Sequence, residues 1–333
     1  MSVSALTLLP SSSAHAAATC LGQPATIEAS TGDVTGTPGG DVIVVSGDVR
    51  FVDAGEGDDL VCLAGTTKLS GRRTIFVSTG AGTDQVDASA AGAATSSRLG
   101  PGMDSFTGSA FADYVQVGTP SASLDAPGDP GPFTVTTGGG SDTLLLEVGA
   151  VVDADLGRGQ DGMRFRAAEG AQGSRIDLGA GQDSIAFEDE WEDEGAGETT
   201  LLVDLTRDVA EWHGVRSVLT GAENIRGVAR RIRVRGDERP NAFYSYGCDV
   251  VFRGGAGNDR TSMRTIGAAD TQPFRCRPRE VRKAYGNSGD DFLGGGRSHD
   301  VLVGGPGRDK AHGGPAGDDI CIAEIVAGKG CLE

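Results

Sequence analysis

Residues 286–322 read GNSGDDFLGGGRSHDVLVGGPGRDKAHGGPAGDDICI, and within them Asp291, Asp300, Asp309 and Asp319 recur at intervals of nine, nine and ten residues. Each aspartate closes a glycine-rich turn and opens a short apolar-alternating run, such as Phe292-Leu293, Val301-Leu302-Val303 or Ile320-Cys321-Ile322. Alternation over so few residues predicts a brief strand with one side chain facing inward. Further out, the hexad x-G-x-G-x-D occurs eight times, ending at Asp59, Asp84, Asp104, Asp142, Asp161, Asp183, Asp259 and Asp309, with residues 36–41 a looser version. Upstream the motifs are mostly 19 to 25 residues apart, about twice the interval of the C-terminal array. Two residues after these aspartates stand Ile43, Val61, Val86, Phe106, Leu144, Met163 and Ile185, with only Thr261 breaking the apolar rule. The expected fold is an all-β, continuous parallel solenoid. Its first part carries glycine turns on one edge only, and its last part carries them on both.

The residue types of one hexad suit a hard cation. Glycine reaches positive φ at little steric cost, so glycines two residues apart turn the chain sharply with carbonyls facing one way. The aspartate adds a carboxylate to that ring. Calcium accepts about six to eight oxygen ligands at irregular angles, whereas magnesium demands a stricter octahedron. The competing reading is structural, since Gly-Asp turns also serve as tight corners in which Asp caps its own backbone.

The pattern resembles the nonapeptide repeats of RTX proteins, the hemolysin-type calcium-binding repeats of form G-G-x-G-x-D-x-U-x with U apolar. Gly254-Gly255-Ala256-Gly257-Asn258-Asp259 and Gly304-Gly305-Pro306-Gly307-Arg308-Asp309 match its first six positions. The resemblance implies a right-handed parallel β-roll with calcium between stacked turns. Carried over, the ligand set comprises Asp259, Asp291, Asp300, Asp309 and Asp319 with Gly255, Gly257, Gly286, Gly289, Gly295, Gly304, Gly305, Gly307 and Gly317, and upstream Asp59 and Asp183. Asp291 and Asp309 would share one edge, and Asp300 and Asp319 the other. Ser298 stands where a glycine is expected, and the last unit has Pro315 at its second glycine position and one inserted residue, so both departures fall on the Asp300 and Asp319 edge. The opening stretch from Cys20 and the closing stretch from Asp318 to Cys331 resemble secreted calcium-binding repeat proteins of actinobacteria.

Four segments follow. Residues 1–16 read as the remnant of a signal peptide, 17–200 as a degenerate solenoid, 201–250 as a connector, and 251–333 as the calcium-binding roll with its best repeats at 286–322. Ala14-His15-Ala16 fits a cleavage site after the short apolar run from Val3 to Leu9, although a basic start is missing. Leu201-Leu202-Val203-Asp204-Leu205 and the later Leu219 to Ile225 resemble a strand pair found ahead of such arrays. An acidic run from Glu188 to Glu194 reads as a solvated loop.

Composition narrows the partners. Fifty-four glycines in 333 residues is about double the usual share, without the every-third-residue period of collagen. The formal charge of −18 argues against nucleic acid and anionic membrane. Without a cation, stacked carboxylates would repel: two like charges ~5 Å apart cost roughly 3 kcal/mol at an effective dielectric of about 20. Folding of the C-terminal array is therefore expected to need calcium. No run of ~20 apolar residues suggests a membrane span, and a monomer is expected.

The six cysteines, Cys20, Cys62, Cys248, Cys276, Cys321 and Cys331, include no C-x-x-C pair. An even count in a secreted-looking chain favours disulfides. Sequence neighbours are the favoured pairing of the fifteen possible, because contacts in a quasi-one-dimensional fold are local.

One segment opposes the global charge. From Arg226 to Lys283 fourteen Lys and Arg face six Asp and Glu, so the stretch is +8 while the rest totals −26. Arg231, Arg233 and Arg235 alternate with Ile232 and Val234, which places three guanidinium groups on one strand face. This segment is either a balancing solvent face or a patch for acidic cell-wall polymer or polysaccharide. There is no H-E-x-x-H and no G-x-S-x-G, and the four histidines are scattered. No enzyme is expected. The competing class is a calcium-dependent polysaccharide lyase on a parallel β-helix, and a third is a calcium-rigidified adhesive or matrix spacer.

Overall fold

The computed structural model describes residues 17–65, 74–118, 131–147, 150–165, 173–188, 199–264, 276, 281–297, 299–315, 318–327 and 330–332. The leader-like segment 1–16, Gly317, Ser298 and most of the acidic run after Glu188 lie outside them. Among the described residues the secondary structure is entirely β, and no helix is long and apolar enough to cross a membrane.

Nearly all strands belong to one large, mostly parallel sheet with two ladders, and a strand pairs with the strand two places along the chain. The first ladder begins with Ile27–Thr35 on Val42–Asp53. It continues through Leu60–Leu63, Gln85–Asp87, Ser105–Thr107, Phe133–Thr136, Val152–Asp155 and Arg175–Asp177. The second starts from the far end of Val42–Asp53 and runs through Ile75–Ser78, Thr95–Leu99, Tyr114–Val117, Thr143–Leu146, Gly162–Phe165, Ser184–Phe187 and Asn224–Val228.

The first ladder then takes in an antiparallel meander, Thr200–Asp204, Val209–Trp212 and Val215–Thr220. Val218 pairs back to Arg175 and Thr200 pairs forward to Arg231, so the meander inserts two extra strands where the resemblance implied a strand pair. Parallel pairing resumes through Arg231–Arg235, Asp249–Ala256, Arg282–Ser288, Asp300–Val303, Asp319–Ile322 and Cys331–Leu332. The second ladder ends through Ala242–Tyr246, Arg260–Arg264, Phe292–Gly294, Lys310–His312 and Ile325–Ala327. Strand pairing thus passes positions 200 and 250 without a break.

Strands this short hold together because side chains alternate and in-register parallel pairing stacks the inward ones. Ile43, Val61, Val86 and Phe106 stack in the first ladder and Leu144, Met163 and Ile185 in the second, all buried in one core. Each such side chain contributes roughly 1.5–3 kcal/mol on full burial. Thr261, the exception in the apolar pattern, is also buried, and its hydroxyl accepts the Gly294 N–H at 3.2 Å. Buried polar groups persist where they find such a partner.

All three disulfides join sequence neighbours: Cys20–Cys62, Cys248–Cys276 and Cys321–Cys331. The first fastens the opening hairpin, Thr19–Cys20 on Gln23–Pro24, to the strand Leu60–Leu63. The last links the final two strands of the first ladder.

Candidate metal centre

Each hexad ends a strand-to-strand turn, and its aspartate points inward. Asp59, Asp84, Asp104, Asp142, Asp161, Asp183, Asp259, Asp291, Asp309 and Asp319 are all buried. Burial of so many carboxylates requires partners, and the first partner is the aspartate one rung earlier. The Asp59 amide donates to Oδ1 of Asp84 at 2.9 Å, and the Asp84 amide to Oδ1 of Asp104 at 2.9 Å. A second column runs from Asp113 to Asp142, Asp161 and Asp183 by the same bond at 2.7 to 2.8 Å. Further along the chain, Asn241, Asp259, Asp291 and Asp309 repeat it at 2.7 to 3.0 Å. Asp300 donates to Oδ1 of Asp319 at 2.9 Å.

The columns correct one expectation. The turns before residue 200 do not share one edge: the Asp59 column reaches Asp104 on the first ladder, and the Asp142 column includes Asp113 on the second. Asp113 follows Asp104 by nine residues, the interval of the C-terminal array. The hexad pattern does not reveal it, because Gly108-Ser109-Ala110-Phe111-Ala112-Asp113 has Ser109 and Phe111 at the two glycine positions. In place of a glycine turn, the Ser109 amide and hydroxyl hold the two oxygens of Asp113 at 2.6 and 3.0 Å. Asp291 and Asp309 fall in the second ladder and Asp300 and Asp319 in the first, two separate columns.

Three further members carry no glycine signature. Glu223 accepts the Asp183 amide at 2.9 Å and Glu324 the Asp309 amide at 2.8 Å, so a longer carboxylate reaches the same place. Asn241 continues the second column as an uncharged member. The residue preceding a column aspartate builds an outer row of its own, since the Thr83 amide donates to Asp58, that of Asp290 to Asn258, and that of Arg308 to Asp290.

The second carboxylate oxygen is different. Oδ2 of Asp59, Asp84, Asp142, Asp161, Asp183, Asp259, Asp291, Asp309 and Asp319 is buried and has no hydrogen-bond partner among the described residues. At Asp41, Asp113 and Asp300 the amide four residues earlier donates to Oδ2 at 2.6 Å. In seven of the eight full hexads that position is a glycine turned to positive φ, as at Gly255 (φ 111°) and Gly305 (φ 118°), Gly100 being the exception, and at these seven no such bond forms. Where the amide four residues back is turned inward it satisfies its own aspartate, and where that amide is twisted away, or is absent as at Pro315 before Asp319, one oxygen stays unmatched. Gly254, Gly286 and Gly304 lie directly against these oxygens.

The turns also bring backbone oxygens together. The carbonyl of Gly257 faces Gly289, that of Gly289 faces Gly307, and that of Asn287 faces Gly305, with no room for a Cβ on any of the three. Asn287 itself holds φ 72°, which asparagine tolerates better than most residues, and so takes the place of the first turn glycine. Gly295 abuts the Gly313 carbonyl beside Asp300.

Electrostatics follow from burial. Desolvation pushes Asp59, Asp161 and Asp291 up to about 6 and Asp259 up to about 7, against the opposing amide bond and with neighbouring aspartates adding to the rise. Burial also raises Asp183 and Asp319. Asp41 is buried too, yet its bonds from Thr37 and Thr26 outweigh desolvation and hold it below the ordinary range.

Not every column end is alike. Asp300 is gripped by the buried Arg282, Nε to Oδ1 at 2.9 Å and a terminal nitrogen to Oδ2 at 3.2 Å. Burial raises Asp300 to about 6 while Arg282 opposes the rise. Glu223 is paired with Arg239 at 2.6 Å. At these two positions a guanidinium supplies the positive charge.

Orphaned carboxylate oxygens beside stacked carbonyls fit a hard, oxygen-seeking dication. Among the described residues no three His, Cys, Asp or Glu side chains converge on one point. A cation here would take one carboxylate per turn, and carbonyls would complete its shell. Compared with models of known protein families the chain matches none, and comparison with curated proteins gives no match.

Proposed function

We propose that this chain is an extracellular calcium-binding protein of the RTX type, in which the two strand ladders wind as one β-roll or β-helix and folding is coupled to calcium. The observation that carries this reading is the set of buried column aspartates with one oxygen bonded to a neighbouring rung and the other unmatched. Calcium would be held by Asp259, Asp291 and Asp309 with the carbonyls of Gly257, Asn287, Gly289 and their stacked counterparts. Asp59, Asp84, Asp142, Asp161 and Asp183 would serve the upstream turns. The bound ion supplies charge neutralisation along each column, not reaction chemistry. The role is structural or adhesive rigidity outside the cell, where three disulfides persist.

Isothermal calorimetry on chelator-treated protein, followed by circular dichroism, tests the reading. Saturable uptake of several calcium ions with a gain of β signal is expected. An absence of heat from calcium, together with an unchanged spectrum, would show that the turns are only corners.

A further inference from the structure

The outward face of the first ladder around the meander carries a second kind of site. Arg235 and Arg253 are directly opposite each other on adjacent parallel strands, and both are exposed. Neighbouring strands lie ~4.8 Å apart, so two guanidinium-bearing positions share one outer face at strand spacing. Among the described residues neither arginine has an ion-pair partner, although Arg253 lies over the Tyr285 ring at 5.6 Å. The other cations nearby are engaged: Arg233 by Asp249 at 2.6 Å and Arg207 by Asp204 at 3.6 Å. Arg216 stands across from Glu211.

The arginines and the carboxylates of Asp204 and Glu211 line a hollow of about 340 Å³ whose apolar lining includes Leu202, Val209 and Val251. A second hollow of about 540 Å³ adjoins it, sharing Arg235 and Arg253 and reaching Asn287. The result is an open groove across several strands, with an apolar strip and two unpaired guanidinium groups one strand apart, and with Tyr285 beside Arg253 on the next strand.

We propose that this groove binds a linear polysaccharide of carboxylated sugars. Guanidinium groups pair with carboxylates through two parallel hydrogen bonds. Successive carboxylates on such a chain recur at about one sugar length, close to the strand spacing. The apolar strip and Tyr285 offer flat contacts to the C–H faces of the rings. The overall charge of −18 disfavours polymers of high charge density and leaves recognition to local contacts. The groove runs along the strand face to the turns at Gly255 and Asn287, and its recognition groups are the two guanidinium groups, not the column carboxylates.

The test is calorimetric titration of the calcium-equilibrated full chain with a short oligogalacturonate, alongside a neutral dextran oligomer and inorganic polyphosphate. Micromolar to millimolar binding of the uronate alone is expected. Arg235→Ala with Arg253→Ala should weaken it at least tenfold, and the double Arg→Lys variant should fall between, since lysine keeps the charge and loses the fork. In the native chain, oligogalacturonate should protect Arg235 and Arg253 from phenylglyoxal, a readout independent of variant folding. Equal binding of dextran, tighter binding of polyphosphate, or unchanged uronate affinity in the double alanine variant would each overturn the proposal.

Discussion

The amide of Asp259 donates to Oδ1 of Asp291 at 2.7 Å, and the carbonyl of Asp259 accepts the N–H of Phe292 at 2.8 Å. Two bonds of opposite direction therefore tie consecutive aspartates together, one through a side chain and one through the backbone. The side-chain bond uses half of the carboxylate and leaves the other half open to a cation. Asp291→Asn keeps an acceptor for the Asp259 amide and removes the charge. In chelator the variant should melt higher than the native chain, because repulsion along the column falls. In calcium it should bind fewer ions and melt lower. Asp291→Ala also strands the Asp259 amide, and an unsatisfied buried donor costs ~1–3 kcal/mol, so it should be destabilised under both conditions. Thermal melts with and without calcium separate the three.

The pH dependence of the metal-free chain has a definite sign. Asp59, Asp161 and Asp291 stand near 6 and Asp259 near 7 when folded, against an ordinary value of 3.8. Between those values the folded state binds more protons than the unfolded one, so stability falls as pH rises. Their favourable contribution is full below about pH 4 and is lost by about pH 7. Chemical denaturation in chelator at pH 4.5, 6 and 7.5 should show this decline. With calcium bound the carboxylates are needed ionised, and the slope should reverse.

Stacked turns leave no volume to spare. Gly305 holds φ 118° and faces the Asn287 carbonyl, so Gly305→Ala must strain the backbone and push the neighbouring turn away. Strain of this kind costs of order 1–3 kcal/mol. A methyl group at Gly39 would meet nothing within 4 Å, and Gly39→Ala should be close to neutral. Urea melts of the two variants in calcium check the contrast.

How far this arrangement is readable depends on which signal each residue leaves. Asp309 announces itself because its turn spends two glycines, and the period of nine places its neighbours. The inward residues Val61 and Met163 follow from alternation alone. Asp113, Glu223 and Glu324 are unreadable as column members, because accepting a backbone N–H requires only a carboxylate at the right depth, not a glycine turn. The change of column between Asp104 and Asp113 is hidden for the same reason, although the nine-residue interval is present. The meander depends on antiparallel pairing between Leu202 and Glu211, which apolar periodicity does not distinguish from another parallel rung. Arg282 does leave a trace. It stands nine residues before Asp291, at the aspartate's own place in the repeat.

That placement makes Arg282 and Asp300 the sharpest internal comparison for the calcium reading. Both are buried, Arg282 pairs in register with Asp300, and the guanidinium occupies both carboxylate oxygens. Removing one partner of a buried ion pair costs ~3–5 kcal/mol, because the other charge is left uncompensated. Arg282→Ala should therefore destabilise the metal-free chain severely and leave Oδ1 of Asp300 unmatched, while Oδ2 keeps the Gly296 amide. If unmatched carboxylate oxygens in these turns are calcium ligands, calcium should recover part of that loss and raise the stoichiometry by one. The Asp300→Asn variant, which leaves the arginine charge buried, should gain nothing from calcium at this position. Melting temperatures across a calcium series for the two variants check it. A deficit in Arg282→Ala that is identical at all calcium concentrations would mean that Asp300 accepts only a guanidinium.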